Sequence, residues 1–215
     1  MPTLTEPSIG APPPMNPRPP GGRGDGGNNN PDPASSGAAA KIAIYIGMCA
    51  STMTFAALVS AMVVRRGLGN NDWHRLPVPP LLWWNTVALL ISSIAVDLGR
   101  RAFRAGRRKE FRILWLTGTA LGTWFLIGQS LNWKYLIQRG LYLQHNPASA
   151  FFFVLTWAHA AHVIGALAAL VYVAFRSLMF PAIPGNRTVI EVSAIFWHFL
   201  DVMWLLLMCL FVFWS

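Results

Sequence analysis

The sequence is poor in charge, since only 12% of its 215 residues are Asp, Glu, Lys or Arg while 54% are hydrophobic. A soluble domain carries about 25% charged residues, so this deficit excludes an ordinary soluble globular protein. A bilayer crossing takes about 20 apolar residues. Stretches that meet this requirement are 42–64, 80–98, 113–136, 149–175 and 190–214. The sequence therefore predicts an all-α, polytopic membrane protein with five transmembrane helices.

Cysteine is also scarce, and the motifs of soluble enzymes are missing. Cys49 and Cys209 are the two cysteines. Both fall inside apolar stretches, so we expect small packing residues rather than a disulfide. The sequence has no Cys–His, Ser–His–Asp or glycine-rich phosphate-binding constellation, which hydrolysis or nucleotide chemistry would need. It also lacks a charged start followed by an apolar core, so no cleavable signal is expected.

Apolar residues are rare near the N-terminus, where the chain is rich in Pro, Gly, Asn and Ser. The run APPPMNPRPPGGRGDGGNNNPDP is typical of this part. Such a segment cannot bury enough apolar surface to offset the entropy lost on ordering. We therefore predict a disordered cytoplasmic tail at 1–40, followed by a five-helix membrane domain at 41–215.

Positive charge is plentiful but unevenly placed. The net charge is +9, and seven of the 17 basic residues lie in one loop between the second and third spans. They are Arg100, Arg101, Arg104, Arg107, Arg108, Lys109 and Arg112. Short basic loops face the cytoplasm, so this loop predicts a cytoplasmic N-terminus and an external C-terminus. A nucleic-acid-binding surface would not need its basic residues confined to loops on one side of a membrane. We therefore expect no nucleic-acid partner.

Ionisable side chains occur inside the predicted spans, where each is costly and needs a partner or a purpose. His159 and His162 share the fourth span, and Glu191, His198 and Asp201 share one stripe of the fifth. A haem or metal site is one interpretation, but zinc and copper need three or four convergent ligands. A proton relay is a second. We favour a third, in which His–Asp or His–Glu hydrogen bonds hold neighbouring helices in register.

The second and third spans mix small residues with polar ones. The residues concerned are Asn85, Ser92, Ser93 and Asp97 in the second span, and Gly118, Gly122, Gly128, Gln129 and Asn132 in the third. Small and hydroxyl side chains let membrane helices approach closely and bond across the contact. We therefore expect both spans to pack closely against neighbouring helices.

Four motifs run in order through residues 41–214. The last span reads FWHFLDVMWLLL, with Glu191 six residues before Trp197 and with Trp204 ending the DVMW run. Earlier spans read PPLLWWNTVALLISS, LGTWFLIGQSLNWKYLIQRGL and FFFVLTWAHAAHVIGAL. Together they resemble subunit III of haem–copper terminal oxidases, the group that includes cytochrome c oxidase and cytochrome bo quinol oxidase. The last-span signature of that family is E…(Y/F)WHF(V/L)DVVW.

The resemblance implies a five-span form that lacks the first two helices of seven-span relatives. It implies a subunit with no haem, copper or catalytic residue of its own, because oxygen reduction belongs to subunit I. The implied partners are subunit I, subunit II, in some complexes subunit IV, and bound phospholipid, in a bacterial cytoplasmic membrane. The implied role is to support the stability of subunit I and its proton uptake during aerobic electron transport.

The resemblance also implies structural, lipid-pocket or proton-support roles for a set of polar residues in the spans. The set is His159, His162, Glu191, His198, Asp201, Trp204, Gln129 and Asn85. Two positions depart from the family pattern. Ser51 stands where many members carry a buried glutamate, and Asn132 stands where Glu often precedes the Trp. Structural support is therefore a safer expectation than proton buffering.

Two other interpretations stay open at the level of sequence. One is a version of subunit III associated with a quinol oxidase or a nitric oxide reductase. The other, from a different class, is a small transporter whose path follows Glu191, His198 and Asp201. Transporters of this kind usually show inverted repeats or broken helices, and no such repeat is visible.

Overall fold

The chain forms five long helices. The computed structural model describes residues 33–68, 80–139, 147–179 and 187–214, except for the side chains of residues 33–36 and 214. The helices are α1 (Pro33–Gly67), α2 (Pro80–Arg104), α3 (Arg108–Gln138), α4 (Pro147–Met179) and α5 (Arg187–Trp214). Each is long and apolar enough to cross a membrane, and these four described ranges contain no strand. The predicted all-α fold with five spans is confirmed.

Local sequence explains where helices begin and where the chain reverses. Three helices start at a proline, namely Pro33, Pro80 and Pro147. Proline suits this place because its fixed φ matches the helix and its missing N–H is not needed there. Gly106 follows α2 with a φ of 74°, a conformation that glycine adopts readily. The Arg107 N–H donates to Ala102 O at 3.0 Å, which closes α2 before α3 begins.

Helices α2 to α5 form a closed ring. α2 packs against α3 and α5, and α4 packs against the same two helices. The core between them is aromatic: Trp115, Trp197, Trp204 and Phe125 are each at most 1% exposed. α1 lies outside the ring and packs mainly against α5 and α4. The architecture is thus a four-helix bundle with a fifth helix along one side.

Small residues let α2 and α3 approach closely. The Ser92 hydroxyl donates to Gly118 O at 2.8 Å across the contact. A Cβ at Gly118 would lie 2.7 Å from Val96 Cγ2, which is closer than packed carbon atoms tolerate. Glycine at this position therefore sets the spacing of the two helices.

Two sequence-based expectations need correction. α1 begins at Pro33, inside the segment predicted as tail, because the alanine-rich run before Lys41 favours helix although it is not apolar enough to mark a span. The rest of the predicted tail, 1–32, lies outside the described residues, so its disorder stays a prediction. Cys49 and Cys209 are free, as expected, but both are exposed on the helix surfaces rather than packed in the core.

The orientation of the bundle gives a testable prediction. In a variant without Cys49 and Cys209, a membrane-impermeant thiol reagent added from outside is expected to label Ser215→Cys and to spare Ala105→Cys. The reason is the basic loop, which should stay in the cytoplasm. Permeabilised cells serve as the control, because both probes should then react. Labelling of Ala105→Cys in intact cells would show that the topology is the reverse of the predicted one.

Candidate functional site

His159 lies in the middle of the bundle within a box of aromatic side chains. Its ring centroid is 5.1 Å from that of Trp204 on α5 and 6.2 Å from that of Phe125 on α3. Phe55 of α1 contacts it at 6.4 Å. The Trp204 indole donates to Thr86 Oγ1 on α2 at 3.0 Å. Helices from all sides therefore meet at this imidazole, which is 1% exposed.

Three amides lie beside this aromatic box. Asn85 on α2 and Gln129 and Asn132 on α3 are each at most 1% exposed. Gly128 makes room for Asn85, because a Cβ at that position would collide with the Asn85 side-chain amide. No nitrogen or oxygen of these three side chains has a hydrogen-bond partner among the described residues. The same is true of both ring nitrogens of His159.

His198 joins α5 to α2. Its Nδ1 lies 2.5 Å from Ser93 Oγ, and 3.9 Å from Asp201 Oδ2 one turn further along α5. Asp201 is 5% exposed, and neither carboxylate oxygen has a hydrogen-bond partner within the described part of the chain. The imidazole is thus positioned between a hydroxyl that it bonds and a carboxylate that it approaches.

A groove opens at the exposed side of His198. Its volume is about 390 Å³, and it is lined by Ser93, Ile94, Asp97, Leu98, Arg101 and His198. Asp97 holds both neighbouring arginines, with Arg100 Nη2 at 2.5 Å and Arg101 Nε at 2.7 Å from its two oxygens. The charges at this edge are therefore paired with one another on α2.

Sequence reasoning paired some of these residues wrongly. We expected Asp201 to bond either His198 of its own helix or His159 or His162 of α4. Instead, His159 is surrounded by aromatic rings, and His162 Nδ1 lies 2.7 Å from Ala158 O of its own helix. The partner of His198 comes from α2, because α5 packs on α2 as well as on α4. Periodicity alone does not show which neighbour a helix face meets.

The predicted polar stripe of α5 is divided between different neighbours. Glu191 forms ion pairs with Lys41 of α1 at 3.1 Å and with Arg104 of α2 at 3.0 Å. Arg187 of its own helix lies 3.7 Å away. The carboxylate therefore bridges three helices at the basic end of the bundle, whereas His198 and Asp201 lie deeper. No continuous path along the stripe is formed by the contacts of these three residues.

Loss of this bridge is expected to loosen α1. We expect Glu191→Gln to destabilise the chain by about 1 kcal/mol, the upper range for partly exposed ion pairs. The measurement is the thermal unfolding midpoint in detergent, and high salt should reduce the difference from the wild type by screening. Glu110→Gln is the matched control, because Glu110 pairs with Arg107 within one turn and both are exposed. An equal shift in both variants would contradict the bridging role.

An apolar cleft separates α1 from α5. Its volume is about 320 Å³, and it is lined by Thr52, Phe55, Ala56, Val59, Met203, Leu206, Leu207 and Leu210. The Thr52 hydroxyl donates to Met48 O of its own helix at 2.8 Å, so it offers little polarity to an occupant. The lining of the cleft is therefore almost entirely apolar. Its chemistry suits a hydrocarbon chain.

Metal binding has no obvious place in the part of the chain that the structure describes. There, no three His, Cys, Asp or Glu side chains cluster closely enough to hold an ion. His159 and His198 lie in separate surroundings, the first among aromatic rings and the second beside Ser93. Some polar residues of the spans, such as Ser92, His198 and Trp204, instead form contacts between helices.

Two contacts near the site were missed by sequence reasoning. The Trp197 indole fills the space at Gly122, where a Cβ would lie 2.5 Å from Trp197 Cη2. Lys41 reaches Glu191 across the α1–α5 contact. A glycine opposite a tryptophan and two opposite charges at the same end of adjacent spans are detectable signals. They become specific only when the order of the helices is known.

Comparison with known proteins points to one family. The family model for cytochrome c oxidase subunit III matches residues 41–215. The chain is 34% identical to "Cytochrome c oxidase subunit 3" of Corynebacterium diphtheriae, over 71% of this chain and 77% of that relative. It is 26% identical to "Probable cytochrome c oxidase subunit 3" of Nocardia farcinica, over 76% of this chain and 82% of that relative.

A mammalian relative is matched over a smaller share of its length. The chain is 31% identical to "Cytochrome c oxidase subunit 3" of Hippopotamus amphibius, over 65% of this chain and 51% of that relative. The family match includes all five helices apart from the first turns of α1. The chain belongs to the cytochrome c oxidase subunit III family.

Proposed function

We propose that this chain is a supporting subunit of a haem–copper respiratory oxidase and has no catalytic site of its own. The proposal rests on the contacts of the family signature in α5, the run WHFLDVMW at 197–204. His198 bonds Ser93, and Trp204 bonds Thr86, so two side chains of the run attach α5 to α2. Side chains used in this way stabilise the bundle, and oxygen reduction would take place on subunit I.

The proposed partners are oxidase subunit I, together with subunit II and in some complexes subunit IV. Support comes from α1, which lies at the edge of the bundle and has few buried residues. Ile42, Ile46, Met53 and Val64 are exposed along it. Such a surface suits lipid or another membrane helix, and membrane helices associate through close packing.

We propose phospholipid as the occupant of the cleft between α1 and α5. The lining is almost entirely apolar, so an acyl chain would fill it without leaving a polar group unpaired. A lipid in this position would contact both helices and keep α1 attached. The proposed membrane is the bacterial cytoplasmic membrane, in agreement with relatives from Corynebacterium and Nocardia.

Support of subunit I is proposed to be mainly structural, with any effect on proton uptake being indirect. Ser51 stands at the position of the family's buried glutamate, and its hydroxyl donates to Gly47 O of its own helix at 2.9 Å. Asn132 stands at the second acidic position and has no ionisable group. A chain that lacks both carboxylates cannot buffer protons at these two places.

Purification through an affinity tag tests the proposal directly. A tag on this chain is expected to recover from membranes a multi-subunit complex whose optical spectrum shows haem. When the chain is then separated in detergent, the haem absorption should remain with the larger subunits. The untagged strain serves as the control for non-specific recovery. A stoichiometric Soret band on the separated chain would contradict the supporting role.

A further inference from the structure

Four buried side chains in the bundle core have unpaired polar atoms. They are Asn85, Gln129, Asn132 and His159, each at most 1% exposed. Each contributes two nitrogen or oxygen atoms without a hydrogen-bond partner among the described residues. Native proteins pair the large majority of such atoms, with protein groups or with ordered water. Such a concentration of unpaired atoms in one region therefore points to bonding partners other than the described residues.

The unpaired atoms follow one face of α3. Phe125, Gln129 and Asn132 are spaced by four and three residues, which places them on one side of the helix at successive turns. Asn85 packs on this face at Gly128. His159 contacts Phe125 at the inner end. The polar groups thus form a row that runs from the end of α3 to the centre of the bundle.

An opening to the surface lies at the outer end of this row. A cavity of about 180 Å³ is lined by Pro80, Leu81, Asn132 and Tyr135. Asn132 is fully buried, whereas Tyr135 is 37% exposed. The cavity lies at the start of α2 and near the end of α3, so it belongs to the end of the bundle opposite the basic loop. Its size exceeds the volume of one water molecule several times.

Neighbouring buried polar groups behave differently. The Trp115 indole donates to Leu170 O at 3.0 Å, and the Thr119 hydroxyl donates to Trp115 O at 2.8 Å. Both residues lie on α3, nearer the basic loop than Phe125. Other buried atoms without a partner among the described residues include Trp197 Nε1 and both Asp201 oxygens, so the row holds most of the unpaired atoms but not all of them.

Water fits the row better than other ligands. The side chains are neutral amides and an imidazole, which offer both donors and acceptors. An apolar ligand would leave these atoms unpaired, and a metal ion would find no anionic ligand among the four side chains. We propose that the bundle binds a chain of ordered water molecules, which enters beside Tyr135, bonds Asn132, Gln129 and Asn85, and ends at the imidazole of His159.

Radiolytic labelling of the assembled oxidase tests for this water. Brief X-ray exposure converts water into hydroxyl radicals, which oxidise the side chains that the water touches. Trp204 lies against His159 at the inner end of the row, whereas Trp115 lies on α3 nearer the basic loop. Both indoles donate to protein oxygens, and both residues are 0% exposed. We expect Trp204 to be oxidised at least about fivefold faster than Trp115, because bound water is the nearest source of radicals. In water enriched in oxygen-18, the added oxygen should carry the label.

A pair of variants completes the test. Gln129→Leu should interrupt the chain and lower the oxidation of Trp204 to the rate of Trp115. Thr119→Val is the matched control on the same helix, since its hydroxyl already bonds Trp115 O, and it should leave the rate at Trp204 unchanged. Equal rates for Trp204 and Trp115 in the wild type would overturn the proposal and indicate a dry core. That comparison needs no variant, so it stands even if Gln129→Leu does not assemble.

Discussion

Replacing Gly122 with leucine is expected to remove most of this subunit from the oxidase complex. The Cβ of any residue at this position would lie 2.5 Å from Trp197 Cη2, 2.8 Å from Trp197 Cζ2 and 3.3 Å from Leu167 Cδ1. Trp197 is 1% exposed and lies in the core, so its rigid indole has no space into which to move. α3 and α5 must separate to accept the new side chain.

The expected size of this effect follows from overpacking in well-packed cores. Extra methylene groups cost about 1–3 kcal/mol and sometimes more, and leucine adds a whole side chain where none fits. The measurement is the ratio of this subunit to subunit I after purification, together with the thermal midpoint of the chain in detergent. Both should fall clearly below the wild-type values.

Gly165→Leu is the matched control for this prediction. Gly165 is an exposed helical glycine of α4, and a Cβ added there meets no atom within 4 Å. The same substitution at this position should therefore leave the bundle intact. A similar loss of subunit in both variants would show that leucine harms assembly for a reason other than contact with Trp197, for example by blocking a partner at the α4 surface.

The number and order of the helices could be predicted from the sequence, because each span is a run of about 20 apolar residues and the bilayer fixes that length. The close α2–α3 contact could also be predicted, since Gly118 and Ser92 are small and hydroxyl residues of adjacent spans. Antiparallel neighbours joined by a short turn must pack together. Local sequence patterns are therefore sufficient to predict the packing of this helix pair.

The partners of the polar residues could not be predicted in the same way. The period of α5 shows that His198 and Asp201 share a face, but whether that face meets α2 or α4 depends on the packing of the whole bundle. Ser93 lies 105 residues before His198, and no local pattern connects them. The burial of His159 among Phe55, Phe125 and Trp204 likewise requires three helices to converge.

His198→Leu is expected to weaken assembly of the oxidase more than it slows turnover. The substitution removes the bond to Ser93 Oγ that joins α5 to α2, and it leaves a partly buried hydroxyl unpaired. Such a loss costs about 1–3 kcal/mol in a low-dielectric setting. Couplings between membrane helices are often nearer 0.6 kcal/mol, because separated helices find other partners. We therefore expect partial loss of the subunit during purification rather than failure to fold.

Asp201→Leu should act in the same direction but more weakly. Its carboxylate oxygens have no hydrogen-bond partner within the described ranges, and the nearest base, His198 Nδ1, is 3.9 Å away. Replacing a buried ionisable side chain by an apolar one of similar volume is often tolerated. Sequence reasoning treats the two residues alike, whereas the geometry makes His198 the residue that joins the helices.

The two roles for this pair differ in what each variant would change. A structural role predicts fewer copies of this subunit per haem, with near-normal oxygen consumption in the complexes that retain it. An obligatory proton path predicts normal stoichiometry but slow turnover, because the proton would lose its carrier while the helices stay joined. Ser93→Ala separates these cases further, since it removes the hydroxyl partner of His198 without touching a titratable group. The structural role would be wrong if two conditions were met together. His198→Leu would give full stoichiometry with turnover reduced about tenfold or more, which corresponds to roughly 1.4 kcal/mol in the barrier. Ser93→Ala would have no effect on either quantity.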